Sequence, residues 1–177
     1  MRADSLGVRG GCPMRLRAVV VLLAALAGST SVVAQAPLEW LSGDWAERGR
    51  PKSAAGPPGT LHVEFAGGIL RILENGPDGD EVRCRLDGTE IKYRQTKPKA
   101  TVDYTLECEI GPRSVEATGL FTAGGIEGFP PREFEMRKKY ELAPDGSVRW
   151  QDQLWGIIPG LGRIELSDTT ASFSRKK

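Results

Sequence analysis

From residue 61 onward the chain alternates apolar and polar residues with a period of two, the signature of strands with one buried face. Leu61, Val63 and Phe65 share a face against His62 and Glu64. Ile69 to Glu74 follows a Gly67-Gly68 turn. Val82, Cys84 and Leu86 oppose Arg83 and Arg85, and Ile91 and Tyr93 return after Asp87-Gly88, a hairpin signal because both residues accept positive φ. Val102, Tyr104, Leu106, Cys108 and Ile110 alternate with Asp103, Thr105, Glu107 and Glu109. Val115, Ala117, Gly119 and Phe121 come back after Gly111-Pro112-Arg113-Ser114. Phe134, Met136, Tyr140 and Leu142 then alternate with charged residues, with Lys138 on the inward register, where a bulge or a snorkelling side chain is expected. Val148, Trp150 and Leu154 share a face with Asp152, and a last strand runs from Arg163 to about Arg175. No segment holds a helical period over ten residues, and no βαβ alternation or internal repeat occurs. The pattern predicts an all-β fold, an antiparallel up-and-down barrel of about eight to ten strands. Closure into a barrel is favoured over a sandwich because it removes exposed edges.

Ahead of the strands, Leu38-Glu39-Trp40-Leu41 forms one helical turn closed by Gly43, and Trp45 to Arg48 opens the first strand. Residues 49–60 and 122–131 read as loops by composition. Gly156 to Gly162 reads as an apolar loop. In a barrel these three would gather at a mouth opposite Trp45.

The N-terminus has a different character. Arg15 and Arg17 precede Ala18–Ala27, ten uncharged residues, and small residues lead to Ala34. A positive end, a short apolar core and a small-residue exit make a secretory signal peptide over 1–34, with a single domain over 35–177. Ten apolar residues are too few to span a bilayer, so no stable membrane anchor is expected once the segment is gone. Met14 competes with Met1 as the start. The protein is then secreted or periplasmic, and is read as a monomer. Removal takes away four of 24 basic and one of 23 acidic residues, leaving 20 and 22. A mixed, mildly acidic surface gives no electrostatic case for nucleic acid.

Cys12 leaves with that segment. Cys84 and Cys108 remain, an even pair on inward faces in an oxidising compartment, and a disulfide between them is expected. The alternative is geometric. A full strand at 89–95 lying between them would hold their Cα atoms about 10 Å apart, out of bridging range.

Candidate chemistry is sparse. His62 is the single histidine and faces outward, which argues against a histidine triad and a multi-histidine metal site. No phosphate loop, dinucleotide fingerprint or Gly-x-Ser-x-Gly occurs, so no metal, cofactor or catalytic group is expected. Asp152 stands out as a carboxylate in register with Trp150 and Leu154; it either pairs with Lys138 or an arginine, or has a functional role. Tyr93, Tyr104, Phe121, Phe134, Tyr140 and Trp150 all fall on inner faces, as core or as a cavity lining. Ala117 and Gly119 leave room beside them.

Gly43-Asp44-Trp45 at the head of the strands, with a basic residue near the last strand, resembles the calycin and lipocalin group. The resemblance covers roughly 38–175 and extends to exported lipocalin-like domains of bacteria. It implies that Trp45 plugs the closed end of the barrel and that Arg175, or Arg163 as second choice, covers it. It also implies at most a binding role.

Three functions remain open from sequence. The first is an exported binding barrel for a small apolar or amphipathic molecule, held by Tyr104, Phe121, Tyr140, Trp150 and Asp152. The second is an enzyme on the same fold using Asp152 with a tyrosine or lysine. The third is a packed structural or interaction barrel without a cavity. Export itself is directly checkable: N-terminal sequencing of the mature protein should begin at Gln35, and a mature chain starting at Met1 or Met14 would overturn the reading.

Overall fold

A computed structural model describes residues 38–50, 57, 59–76, 78–125 and 130–177. The expected signal peptide and its cleavage site lie outside the described residues. Ten strands follow a short 3-10 turn (Leu38–Trp40): β1 (Gly43–Arg48), β2 (Thr60–Ala66), β3 (Ile69–Glu74), β4 (Glu81–Arg85), β5 (Ile91–Lys97), β6 (Ala100–Ile110), β7 (Ser114–Gly124), β8 (Arg132–Leu142), β9 (Val148–Ile158) and β10 (Gly162–Arg175). They form one antiparallel sheet in the order β4-β3-β2-β1-β10-β9-β8-β7-β6-β5. Every neighbour is consecutive in sequence except β1 and β10, whose pairing bends the meander into a nearly closed up-and-down barrel.

The period-two pattern maps onto inside and outside. Leu61, Val63, Leu70, Ile72, Val82, Leu106, Val115, Ala117 and Val148 are buried in a single core. Outward positions on β6 to β8 carry Glu107, Glu109, Glu116, Arg137, Lys139 and Glu141. An apolar interior with a charged exterior is the reverse of a membrane-spanning barrel, whose lipid-facing rows must be apolar. No helix among the described residues is long and apolar enough to cross a membrane.

Trp45 is fully buried at one end. Its Nε1 donates to the carbonyl of Leu41 at 2.9 Å. Arg175 pairs with Trp45 in register, and its guanidinium lies 5.0 Å from the ring centroid. The same guanidinium donates to the carbonyls of Glu39 and Trp40 at 3.2 and 3.0 Å. Arg175 thus clamps the first turn onto the last strand while shielding the indole, a cation–π contact worth about 1 kcal/mol. Arg163 sits elsewhere, 4.0 Å from the ring of Trp155 and paired with Glu135 at 2.6 Å.

Three local expectations change. Gly156 to Gly162 is mostly strand: β9 runs to Ile158 and β10 starts at Gly162, leaving a three-residue turn. Likewise β7 extends to Gly124. Lys138 causes no bulge, since β8 keeps unbroken register through it; the irregularity lies between Glu165 and Ser167 on β10. Finally, Gly119 leaves no free space. A Cβ there would stand 2.1 Å from the carbonyl oxygen of Thr105 and 3.0 Å from Leu106, so β6 already fills that volume. In an up-and-down order, the strand ends flanking 49–59, 125–131 and 159–161 all lie at the end opposite Trp45.

The sheet is not closed by a backbone ladder. β4 and β5 are its two edges, and side chains bridge them. Gln95 accepts from the Glu81 amide at 3.3 Å and donates to the Gly79 carbonyl at 2.7 Å. The Tyr93 hydroxyl donates to the Glu81 carbonyl at 2.6 Å. Cys84 and Cys108 form a disulfide with their Cα atoms 5.6 Å apart. The intervening strand is no obstacle because β5 begins opposite Leu106, two residues short of Cys108. The far end of β4 therefore reaches β6 directly. Replacing both cysteines with serine should lower stability by about 3 kcal/mol on the chain-entropy model. Urea unfolding of the oxidised protein and the double variant checks this; equal midpoints would mean the bridge adds nothing to closure.

Candidate functional site

The interior toward the open end holds a buried ionic cluster. Glu74 closes β3 on the inner face, in phase with Leu70 and Ile72, and is 4% exposed. One carboxylate oxygen accepts from the Tyr140 hydroxyl at 2.6 Å and from Trp150 Nε1 at 2.8 Å. The other accepts from the Lys138 ammonium. Lys138 and Tyr140 are successive inward positions on β8, and Trp150 stands opposite Tyr140 on β9. Strand alternation therefore aims three donors at one carboxylate.

Lys138 is itself 4% exposed. Its Nζ lies 3.5 Å from Asp80 and 3.5 Å from Asp152, the latter its register partner on β9. Asp80 also pairs with Lys97 at the end of β5. Burial works against the Lys138 charge, but Glu74, Asp152 and Asp80 overcome it and hold its pKa well above the ordinary lysine value. Burial would raise the Asp80 pKa; Lys138 and Lys97 reverse this and hold it low. Asp152 goes the other way. Burial, reinforced by Glu74 and Asp80, raises its pKa despite Lys138. Tyr140 is pushed far up by burial and by Glu74, so it stays protonated and donates.

Beside this cluster lies a hollow of about 140 Å³. It is lined by the charged side chains of Asp80, Glu81, Lys97, Lys138 and Asp152 and by apolar ones that include Tyr104, Phe121, Met136 and Leu154. The aromatic row is built by register. Tyr93, Tyr104, Phe121 and Phe134 stand side by side on β5 to β8, with successive ring centroids 4.8, 5.4 and 4.9 Å apart. The row continues to Gly156 on β9.

The residues singled out from sequence divide between two places. Tyr104, Phe121 and Asp152 line the hollow together. Tyr140 and Trp150 lie deeper and spend their polar atoms on Glu74. Trp150 faces Phe173 edge-on at 6.3 Å. Trp45 and Arg175 stay at the closed end. The lining of the hollow mixes apolar and charged side chains rather than aromatic ones alone. Glu74, Asp80 and Lys97 went unremarked, although each falls in phase with an apolar row: Glu74 with Ile72, Asp80 with Val82, Lys97 with Tyr93.

A wider groove of about 490 Å³ opens on the outside, between Arg48–Arg50 and the outer faces of β8 to β10. Within it Arg50 pairs with Glu47 at 3.5 Å and Lys139 with Glu141 at 3.3 Å, and Arg48 reaches Asp145 beyond its rim at 3.2 Å. The inner hollow has the convergent buried polar groups expected of a site. No protein-family model matches the chain, and no curated protein matches it either.

Lys138→Met should cost about 3–5 kcal/mol, because it leaves Glu74 and two aspartates without their shared cation. Lys138→Met combined with Glu74→Gln should recover a large part of that loss. Chemical denaturation of both variants decides it; a double variant no more stable than the single would show that the pair is not coupled.

Proposed function

We propose that this protein is an exported binding barrel of lipocalin-like type that holds a small amphipathic molecule in its open end. The observation that carries the reading is a hollow lined by both apolar and charged side chains. An amphipathic ligand satisfies both: its body packs on Tyr104, Phe121 and Leu154, and its polar head meets the charged side chains. Nearly parallel stacked rings offer flat surfaces for such a body. The volume sets a scale. A hollow of roughly 150 Å³ takes one benzene ring, so about 140 Å³ accommodates a single ring, a short alkyl chain, or the end of a longer molecule.

Secretion or periplasmic residence is supported by the disulfide, which needs an oxidising compartment, and by the signal-like N-terminus. The lipocalin-like kinship is supported by the barrel layout and by Arg175 over Trp45. A monomer is supported by the charged outer rows of β6 to β8.

Benzyl alcohol, a neutral ring with a short polar head, is a suitable probe. In an NMR titration of the mature, oxidised protein it should shift Tyr104, Phe121 and Leu154 resonances saturably. Leu154→Trp fills the hollow and should weaken binding at least about tenfold, the loss of a contact worth roughly 1.4 kcal/mol. Val102→Phe, filling from the opposite side, serves if the first variant unfolds. Non-saturable shifts, or affinity untouched by either variant, would sink the binding reading.

A further inference from the structure

Charge in the hollow is unbalanced. Glu81, which also lines it, is held by Arg71 at 2.7 Å and Arg83 at 2.8 Å, which leaves the linked carboxylates of Glu74, Asp80 and Asp152 against two ammonium groups, Lys97 and Lys138. The donors are unequally shared. Glu74 accepts from Tyr140, Trp150 and Lys138. Asp80 has Lys97 hydrogen-bonded to one oxygen and Lys138 at 3.5 Å from the other. Asp152 has only Lys138, at 3.5 Å from a single oxygen. Its other oxygen has no donor among the described residues. The surplus negative charge therefore falls on Asp152, which lines the hollow and is 24% exposed along its side chain.

We infer that Asp152 is the specificity-determining residue of this cavity and that it selects a ligand with a cationic amine head, refusing carboxylate-headed amphiphiles. The inference rests on the binding reading above and names its ligand class. An ammonium at Asp152 would complete the one carboxylate left short of donors and neutralise the surplus. A half-buried carboxylate short of donors costs free energy, part of which such a head restores. A carboxylate head meets the opposite situation. Lys138 is sealed among three acids and 4% exposed, and Lys97 already donates to Asp80, so an anion would have to compete with a carboxylate for either ammonium. The incoming charge would lie beside Asp152 and Asp80 and be repelled by both. Rejection by like charge is as much a part of specificity as attraction. The body of the amine would rest against Tyr104 and Phe121, whose faces also attract a cation.

Three probes share one ring and differ in the head: benzylamine, benzyl alcohol and benzoate. Calorimetric titration of the mature, oxidised protein near neutral pH should give benzylamine an affinity at least about tenfold above benzoate, with benzyl alcohol between, since a unit charge a few ångströms away is worth more than 1 kcal/mol in a partly buried site. Asp152→Asn should bring benzylamine down to the level of benzyl alcohol. Asp152→Glu, which keeps the charge, should retain the amine preference and separates a lost charge from a damaged fold. Benzoate binding as tightly as benzylamine, or an amine preference that survives Asp152→Asn, overturns the inference while benzyl alcohol binding leaves the barrel a binding protein. Binding by none of the three removes the binding reading, and the inference with it.

Discussion

The structure depends on how a ten-stranded sheet closes where its two edges cannot pair. β4 is five residues long and β5 is seven, and they exchange side-chain rather than ladder hydrogen bonds. Cys84–Cys108 fixes one end of β4 against β6. Tyr93 and Gln95 satisfy the backbone groups of Glu81 at its start and of Gly79 just ahead of it. Lys97–Asp80 ties the approach to its other end. The polar groups of a buried edge must find partners somewhere, and here inward-leaning side chains supply them. The hollow lies just behind this seam, walled by Asp80, Val82, Lys97 and Tyr104. Closure and site are thus one piece of construction.

The ionic cluster extends the same economy of partners. Burying Glu74 and Lys138 in a barrel this narrow costs several kcal/mol per ion before pairing. Three donors on Glu74 and three carboxylates around Lys138 offset that cost. Such a network binds strands from opposite sides of the barrel, β3 to β8 and β9, where an apolar core would only bring them near one another. A hydrophobic filling of equal volume would be no less stable, so the charges are better understood through what they present to the hollow.

Alternation made the architecture readable. With a period of two, inner rows follow from any one correctly placed residue, and Leu61 or Val102 is enough to start. Tyr104, Phe121 and Asp152 fall out of that register directly. What stayed hidden depends on pairing across the sheet. Whether Cys84 meets Cys108 turns on where β5 starts, a matter of two residues. Gly119 looked like free space because a missing side chain says nothing about a neighbouring strand's approach. Glu74, Asp80 and Lys97 were in phase with apolar rows but sit at strand ends, where a charge is ordinarily taken for a turn residue in water. Glu74 is buried, and Asp80 and Lys97 are half-covered, by strands from elsewhere in the barrel, which no local pattern encodes.

The position of β10 has a consequence for how the chain reaches this form. All ladders but one join strands adjacent in sequence, so most pairings close a short loop and each hairpin can form once its two strands are made. The exception is β1 with β10, which joins the first strand to the last. A chain growing from its N-terminus must hold β1 with one partner, β2, until β10 emerges. Over that interval Trp45 lacks Arg175, and β1 presents an open edge able to template pairing with another chain. The closing step waits on β10. That strand is therefore the latch of the barrel, and the interval before it arrives is when a growing chain of this design is most in need of protection.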